Sequence, residues 1–173
     1  GHVAKALDAV GSEREFHRLP RRQDIHRVVA NGLRGHRGVE LAIITGMGPR
    51  LILQILERGP RPDQAIVHSP QHTHALRAGL AEAGWHVLSQ GLAPENGRYA
   101  EVLHIVPGGA VVPTKEICFG ESLLEHPWGV DHARILRGDW LRLLQDAPEH
   151  TGAHATARSW VAWFDRQLSL EPI

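Results

Sequence analysis

The hydrophobic pattern in the middle of the chain alternates between short apolar runs and amphipathic segments. Residues 39–45 form a nearly continuous apolar run that ends at Gly46, which is typical of a strand buried on both faces of a parallel sheet. Residues 49–58 follow with apolar side chains at helical spacing, and Pro49 suits a first helical turn. The same strand, loop and helix are predicted again at 65–68, 69–71 and 73–83. Two such units in succession predict parallel strands.

The flanking segments complete the predicted order of elements. A β-hairpin is expected from residues 85–92 and 99–106, because the connection at 93–98 contains Asn96-Gly97, a pair that favours tight turns. The other predictions are a helix at 3–10, a short strand around 25–29, a loop at 108–113, and mainly helical segments at 119–147 and 151–168. The pattern therefore predicts an α/β domain of Rossmann type, with a boundary between residues 1–113 and a C-terminal helical region, 114–173.

Composition narrows the class of protein without naming a partner. The formal net charge is zero and 42% of the 173 residues are hydrophobic, which disfavours both a disordered tail and a uniformly basic nucleic-acid binder. No apolar run approaches the length of a membrane span. The single cysteine, Cys118, excludes an internal disulfide and suits a reducing compartment. We therefore expect a soluble, cytoplasmic protein.

Charge is unevenly distributed along the chain. Residues 1–61 hold 11 Lys or Arg against 6 Asp or Glu, a balance of +5, and residues 62–173 hold 8 against 13, a balance of −5. A basic first part fits a surface for phosphates, and it equally fits ordinary solvated loops. The arginines in question are Arg14, Arg18, Arg21, Arg22, Arg34 and Arg37.

Three loops follow predicted strands, at residues 31–33, 45–48 and 69–71. Ligands of open α/β sheets bind beyond the carboxyl ends of the strands, where helix N-termini present free amide donors. Each loop taken singly is weak evidence, since a lone Gly-x-Gly usually marks only a turn. Their order in the chain is more specific than any one of them.

That order resembles the TrmK family, SAM-dependent methyltransferases that modify N1 of an adenine in the tRNA D-arm. The family has Gly-Asp-Gly-Leu, Ala-Gly-Met-Gly-Gly and Gln-Pro-Asn after three successive strands. This chain has Ala30-Asn31-Gly32-Leu33, Thr45-Gly46-Met47-Gly48-Pro49 and Ser69-Pro70-Gln71 in those places. Further matches are Leu51-Ile52, Ile55-Leu56, Leu76-Arg77, Leu80, Gly84, Gly97-Arg98-Tyr99, Glu101 and Phe119-Gly120. The resemblance implies a class I methyltransferase fold.

The chain also departs from the family pattern. It aligns from the helix after the family's second strand, so the first strands and their SAM-binding loop have no counterpart in these 173 residues. Asn31 replaces an Asp whose carboxylate suits an adenine amine, although the Asn carbonyl can still accept a hydrogen bond. Pro49 replaces a Gly, and Ser69 and Gln71 replace the Gln and Asn of the third loop.

The resemblance implies a set of site residues, SAM as cofactor and tRNA as partner. The loop at the methyl-transfer site would be Thr45, Gly46, Met47 and Gly48, and the cofactor would contact Asn31, Gly32, Leu33 and Gly46. The substrate-binding residues would be Ser69, Pro70, Gln71, Arg98, Tyr99 and Glu101. Tyr99 also fits a core residue with a solvated hydroxyl. Because N1 of adenine has its own lone pair, the reaction needs positioning and no covalent nucleophile.

Three alternatives stay open. The chain could be a non-catalytic or truncated relative that binds tRNA or a protein. A hydrolase on the same scaffold would need a catalytic dyad, and no Gly-x-Ser-x-Gly surrounds Ser69. A metal site is the third, since His68, His72 and His74 lie close together among 13 histidines. We expect no metal, because no cysteine or suitable carboxylate accompanies them.

Overall fold

The structure is a computed structural model that describes residue 33 and residues 38–170. The predicted helix at 3–10, the strand around 25–29, the six arginines of the basic segment, and Asn31 and Gly32 lie outside the described residues.

The two predicted strand-loop-helix units are present and their strands are parallel. Strand β1 (Leu41–Thr45) pairs with β2 (Gln64–His68) in a register that matches Thr45 with His68. Helix α1 (Pro49–Glu57) follows β1, and helix α2 (Thr73–Glu82) follows β2. Proline occupies the first turn of α1, as predicted, and the apolar face of this helix is buried at Ile52, Ile55 and Leu56. The apolar runs therefore lie in the sheet and the apolar stripes face it.

The predicted hairpin is confirmed, with longer strands than the sequence indicated. Strands β3 (Trp85–Glu95) and β4 (Arg98–Pro107) stay paired up to Glu95 opposite Arg98. The expected loop at 93–98 is therefore wrong in extent, because Asn96 and Gly97, with φ of 49° and 75°, make the whole turn. Two successive positive φ values match the right-handed twist of the strands. Pro94 is tolerated because β3 lies at the sheet edge.

The described sheet has four strands in the order β1-β2-β4-β3. Strand β4 runs antiparallel to both β2 and β3, which makes the sheet mixed. The register places Val102 of β4 opposite His68, the last residue of β2. Glu101 is one residue closer to the hairpin turn. It therefore lies at the edge of the sheet where the parallel strands β1 and β2 both end.

The C-terminal region is helical but interrupted. It contains helix α3 (Lys115–Phe119), a 3-10 helix (Glu121–Glu125), helix α4 (Gly129–Asp146) and helix α5 (Gly152–Gln167). The predicted helical stretch at 119–147 is broken because Gly120 adopts a φ of 83° and Pro127 precedes α4. The predicted boundary at residue 113 falls in the extended connection before α3, and the division into two parts stays a prediction.

Two hydrophobic clusters form the interior. The first joins the sheet to α1 and α2, with Val67, Leu76 and Leu103 fully buried. The second is rich in aromatic residues, and joins the hairpin to the C-terminal helices through Phe119, Trp163 and Phe164. Among the described helices, none is long and apolar enough to cross a membrane.

Candidate functional site

A cleft of about 530 Å³ opens where the carboxyl end of β2 meets the C-terminal helices. Its walls come from the loop after β2, the start of β4, and helices α4 and α5. All six residues predicted to bind substrate lie in these walls: Ser69, Pro70, Gln71, Arg98, Tyr99 and Glu101. The structure thus gathers into one cavity two chain segments that the sequence separates by 27 positions, from 71 to 98.

The loop after β1 contributes no residue to the walls of this cleft, although it follows the strand next to β2. Because Thr45 pairs with His68, the loops that follow the two strands are neighbours at one edge of the sheet. Gly46 has a φ of 76°, and a Cβ at Gly46 or Gly48 would meet no atom of the described residues within 4 Å. Open space over this backbone lets a ligand approach it closely. Met47 is half-buried against the first hydrophobic cluster.

The loop after β2 is held by its own side chain. The Ser69 hydroxyl is buried and donates a hydrogen bond to the Gln71 carbonyl oxygen at 2.7 Å. This bond closes a tight serine turn, after which His72 adopts a φ of 56° and helix α2 begins. Pro70 and Gln71 remain exposed. The turn therefore presents the Gln71 amide, which can both donate and accept hydrogen bonds.

Glu101 is buried and both of its carboxylate oxygens have partners. Oε2 accepts hydrogen bonds from Arg77 Nε at 3.2 Å and Nη2 at 3.0 Å, and Oε1 lies 3.0 Å from His132 Nε2. Burial alone would raise the pKa of Glu101, but the hydrogen bond with His132 and the Arg77 charge hold it below its ordinary value. The ion pair between Glu101 and Arg77 links β4 to α2, and the contact between Glu101 and His132 links β4 to α4.

Part of the cleft wall is aromatic. The His74 ring lies edge-on to Trp140, with centroids 5.1 Å apart, and Trp140 stacks on Trp160 at 5.5 Å. Burial, with a further contribution from neighbouring His72, lowers the pKa of His74, although Glu101 opposes the shift. His74 is therefore neutral near pH 7, and the wall offers flat, uncharged rings to a planar ligand.

Tyr99 and Arg98 stand at the mouth of the cleft. The Tyr99 hydroxyl donates a hydrogen bond to Asp131 Oδ2 at 2.7 Å, and this bond raises the pKa of Tyr99. Arg98 pairs with Asp139 of α4. Tyr99 is half-buried, and its ring packs against the second hydrophobic cluster while its hydroxyl lies at an exposed position.

The sequence did not single out three prominent residues of this region as ligand-binding, Arg77, His132 and Trp140, and it considered His74 only as a metal ligand. Arg77 carried a signal, because a charged residue directly beside Leu76 on an otherwise buried helical face needs a buried partner. His132 and Trp140 carried none, since the position of α4 depends on tertiary packing. Leu33, predicted to contact cofactor, is buried in the first hydrophobic cluster.

Among the described residues, the structure indicates neither a metal site nor a reactive thiol. In the part of the chain that the structure describes, no three His, Cys, Asp or Glu side chains are grouped to hold a metal ion. Burial raises the pKa of the Cys118 thiol, against the opposing charge of Arg77, so the thiolate needed for nucleophilic attack is disfavoured at neutral pH.

A second, larger cavity of about 680 Å³ lies along the edge strand β3. We call it the β3 groove. Its walls come from β3, α2, α3 and the 3-10 helix, and include Arg77, Leu88, Gln90, Ser122 and Glu125. Neither of the loops after β1 and β2 contributes to these walls.

Comparison with known proteins is consistent with this geometry. Residues 10–103, more than half of the chain, match the family described as "Methyltransferase domain". No curated protein matches the sequence.

Solved structures match most of the chain. A protein of the NADB-Rossmann superfamily from Streptococcus agalactiae has a TM-score of 0.76 at 20% identity, over 96% of this chain and 80% of its own. A Streptococcus pneumoniae protein assigned as a tRNA (m1A22) methyltransferase, in complex with S-adenosyl-L-methionine, has a TM-score of 0.68 at 22% identity, over 84% of this chain and 69% of its own. TrmK of M. capricolum, in complex with S-adenosyl-homocysteine, has a TM-score of 0.64 at 13% identity, over 85% of this chain and 70% of its own. These likenesses establish a shared Rossmann-like fold that includes the C-terminal helices.

Proposed function

The chain belongs to the methyltransferase-domain family, and on that premise we propose that it transfers a methyl group from S-adenosylmethionine (SAM) to N1 of an adenine in the D-arm of tRNA. One observation carries the proposal. The six residues that the sequence pattern pointed to line a single cleft at the carboxyl end of β2, beside the Gly46 turn. In open α/β sheets this edge is where ligands bind.

The loop after β1 fits a cofactor as well as a base. Gly46 and Gly48 leave open space over their backbone, so a planar or sulfonium-bearing ligand can approach the peptide groups. In the proposed arrangement Gly46, with Asn31, Gly32 and the backbone of the buried Leu33, would hold SAM, which supplies an electrophilic methyl group when bound. Thr45, Met47 and Gly48 shape the point where cofactor and base meet.

The cleft is suited to a single nucleobase taken out of its stack. A base is flat, and enzymes that modify bases extrude them into pockets where aromatic rings stack on them. Here the rings are those of His74 and Trp140, and the buried Trp160 packs against Trp140 from the other side. The exposed Gln71 amide and the neighbouring backbone carbonyls supply hydrogen bonds for the exocyclic amine and ring nitrogens of the base.

The chemical step requires in-line approach and relief of charge. The N1 lone pair forms the new N–C bond while the bond from the methyl carbon to sulfur breaks, and the positive charge of the sulfonium moves to the adenine ring. In this proposal the face of Trp140 that is not stacked on Trp160 stabilises a cationic ring by cation–π attraction. No proton transfer is needed for the bond to form, so the site works without a general base.

Glu101 acts in this proposal as a positioning residue. Both of its oxygens are already bonded to Arg77 and His132, and its charge is compensated by the buried guanidinium. It therefore fixes β4 against α2 and α4, and by doing so fixes the width of the cleft. Arg98 and Tyr99 at the mouth then contact the nucleotide and its phosphate.

The test is methyl transfer from labelled SAM to an unmodified tRNA transcript, followed by digestion to nucleosides. We expect 1-methyladenosine from the wild-type chain. Gln71→Ala should lower its formation at least tenfold, because it removes the amide that orients the base. Leu88→Ala, a matched truncation in the β3 groove, should leave it unchanged. Transfer to no nucleoside, with tRNA still bound, would instead favour a non-catalytic relative.

A further inference from the structure

An exposed tryptophan stands just outside the cleft. Trp128, which directly precedes α4, is 40% exposed. Large apolar side chains at a protein surface lose hydrophobic stabilisation, so an exposed tryptophan beside a cleft points to a binding surface.

The backbone around Trp128 holds this side chain in place. The Gly129 amide donates a hydrogen bond to the His126 carbonyl at 2.8 Å, and a Cβ at Gly129 would collide with the Leu123 carbonyl oxygen. The segment therefore packs directly on the 3-10 helix, and Pro127 restricts it further. A backbone so constrained loses little further conformational entropy when the side chain that it carries binds a ligand.

The Trp128 ring is continuous with the cleft through stacked side chains. It stacks on Tyr99 with centroids 6.0 Å apart and planes inclined by 22°. Tyr99 lies edge-on to His132 at 5.9 Å, and His132 stacks on Phe119 at 6.3 Å. Tyr99, His132 and Phe119 all line the cleft. The four rings form one series from the exposed surface into the wall of the cavity.

We propose that Trp128, supported by Tyr99, is a stacking site for a second unpaired nucleobase, next to the base held in the cleft. The proposal rests on the proposed function, because it assumes an RNA strand whose target base lies in the cleft. Every base has a face that can stack on an aromatic ring, so this contact adds affinity without reading sequence. It also holds the strand open, since a flanking base stacked on Trp128 cannot restack on the target base.

The experiment measures binding of the full chain to a labelled single-stranded dodecamer of riboadenylate by fluorescence anisotropy. A second dodecamer carries abasic riboses at alternate positions. Trp128→Ala should weaken binding of the intact dodecamer about tenfold or more, as expected for one lost base–aromatic stack. Trp128→Phe, which keeps a ring, should recover most of that loss. Leu88→Ala, which truncates a more exposed apolar side chain in the β3 groove, should have no effect.

The abasic dodecamer separates stacking from a general change in the surface. If Trp128 stacks on a base, the Trp128→Ala variant should lose much less affinity for the abasic strand than for the intact one. Equal losses on both strands, or wild-type affinity in Trp128→Ala, would overturn this proposal and leave the proposed function standing. Failure of the wild-type chain to bind either dodecamer or a tRNA transcript would overturn both.

Discussion

Two cavities lie on either side of one buried ion pair, and the smaller one is the better candidate site. Arg77 borders the 680 Å³ β3 groove, while its partner Glu101 borders the 530 Å³ cleft. The groove follows an edge strand, whereas the cleft lies beyond the carboxyl ends of parallel strands. The cleft also has the serine turn, a wall of stacked rings and the neighbouring Gly46 loop. Position in the fold and chemistry, more than volume, therefore distinguish a binding site.

The largest difference between the two cavities should be in the free energy of unfolding that is lost when a carboxylate is removed. Glu101→Ala leaves the Arg77 guanidinium buried without its charged partner, and we expect it to lower the free energy of unfolding by about 3–5 kcal/mol. Glu125→Ala, at an exposed position of the β3 groove, should change it by less than about 0.5 kcal/mol. Urea unfolding of the full chain measures both. Similar small losses from the two substitutions would show that Glu101 is not needed to hold the cleft together.

The same carboxylate should make stability depend on acidity. The pKa of Glu101 is held below its ordinary value of 4.5 in the folded chain, so the unfolded chain binds the proton more readily. Its contribution to stability is therefore complete above about pH 4.5 and is lost as the pH falls below that value. The Glu101→Gln variant lacks this contribution at every pH. The difference in the free energy of unfolding between wild type and this variant should therefore shrink between pH 5 and pH 3.5. A difference that stays constant in urea titrations over this range would contradict the assignment.

Much of this arrangement could be predicted from local sequence signals. The hairpin follows from Asn96-Gly97, and both loops beside the cleft follow from apolar runs that end at Gly46 and Ser69. The ion pair could not be predicted in the same way. Its partners are 24 residues apart, and His132 is 31 residues from Glu101. Only the packing of α4 against β4 places His132 beside Glu101, and no local sequence pattern predicts that contact.

Substitution of the glycine that follows β1 should lower stability more than substitution of a glycine in the edge strand β3. Gly46 has a φ of 76° and free space for a Cβ, so Gly46→Ala should cost about 1–2 kcal/mol from backbone strain alone. Gly91 in β3 also has free space and no positive φ, and Gly91→Ala should be neutral or slightly stabilising. Thermal unfolding of the two variants gives the comparison. A destabilised Gly91→Ala with an unaffected Gly46→Ala would reverse it.

The smallest contrast concerns two serine hydroxyls. Ser69→Ala removes a buried hydrogen bond to the Gln71 carbonyl, and should lower the free energy of unfolding by about 1 kcal/mol. Ser122 bonds Gln90 at an exposed position of the β3 groove, so Ser122→Ala should have little effect. Urea unfolding distinguishes the two cases, and equal effects would show that the turn after β2 does not depend on Ser69.

Cofactor binding tests the central claim most directly. Titration of SAM into the full 173-residue chain in a calorimeter should show saturable binding, and Gly46→Val, which fills the space over the turn, should abolish it. Gly91→Val serves as the matched control and should bind as wild type does. Binding that Gly46→Val leaves intact would move the cofactor away from the turn. No binding by the wild-type chain would contradict the proposal that this chain is itself a working SAM-dependent methyltransferase.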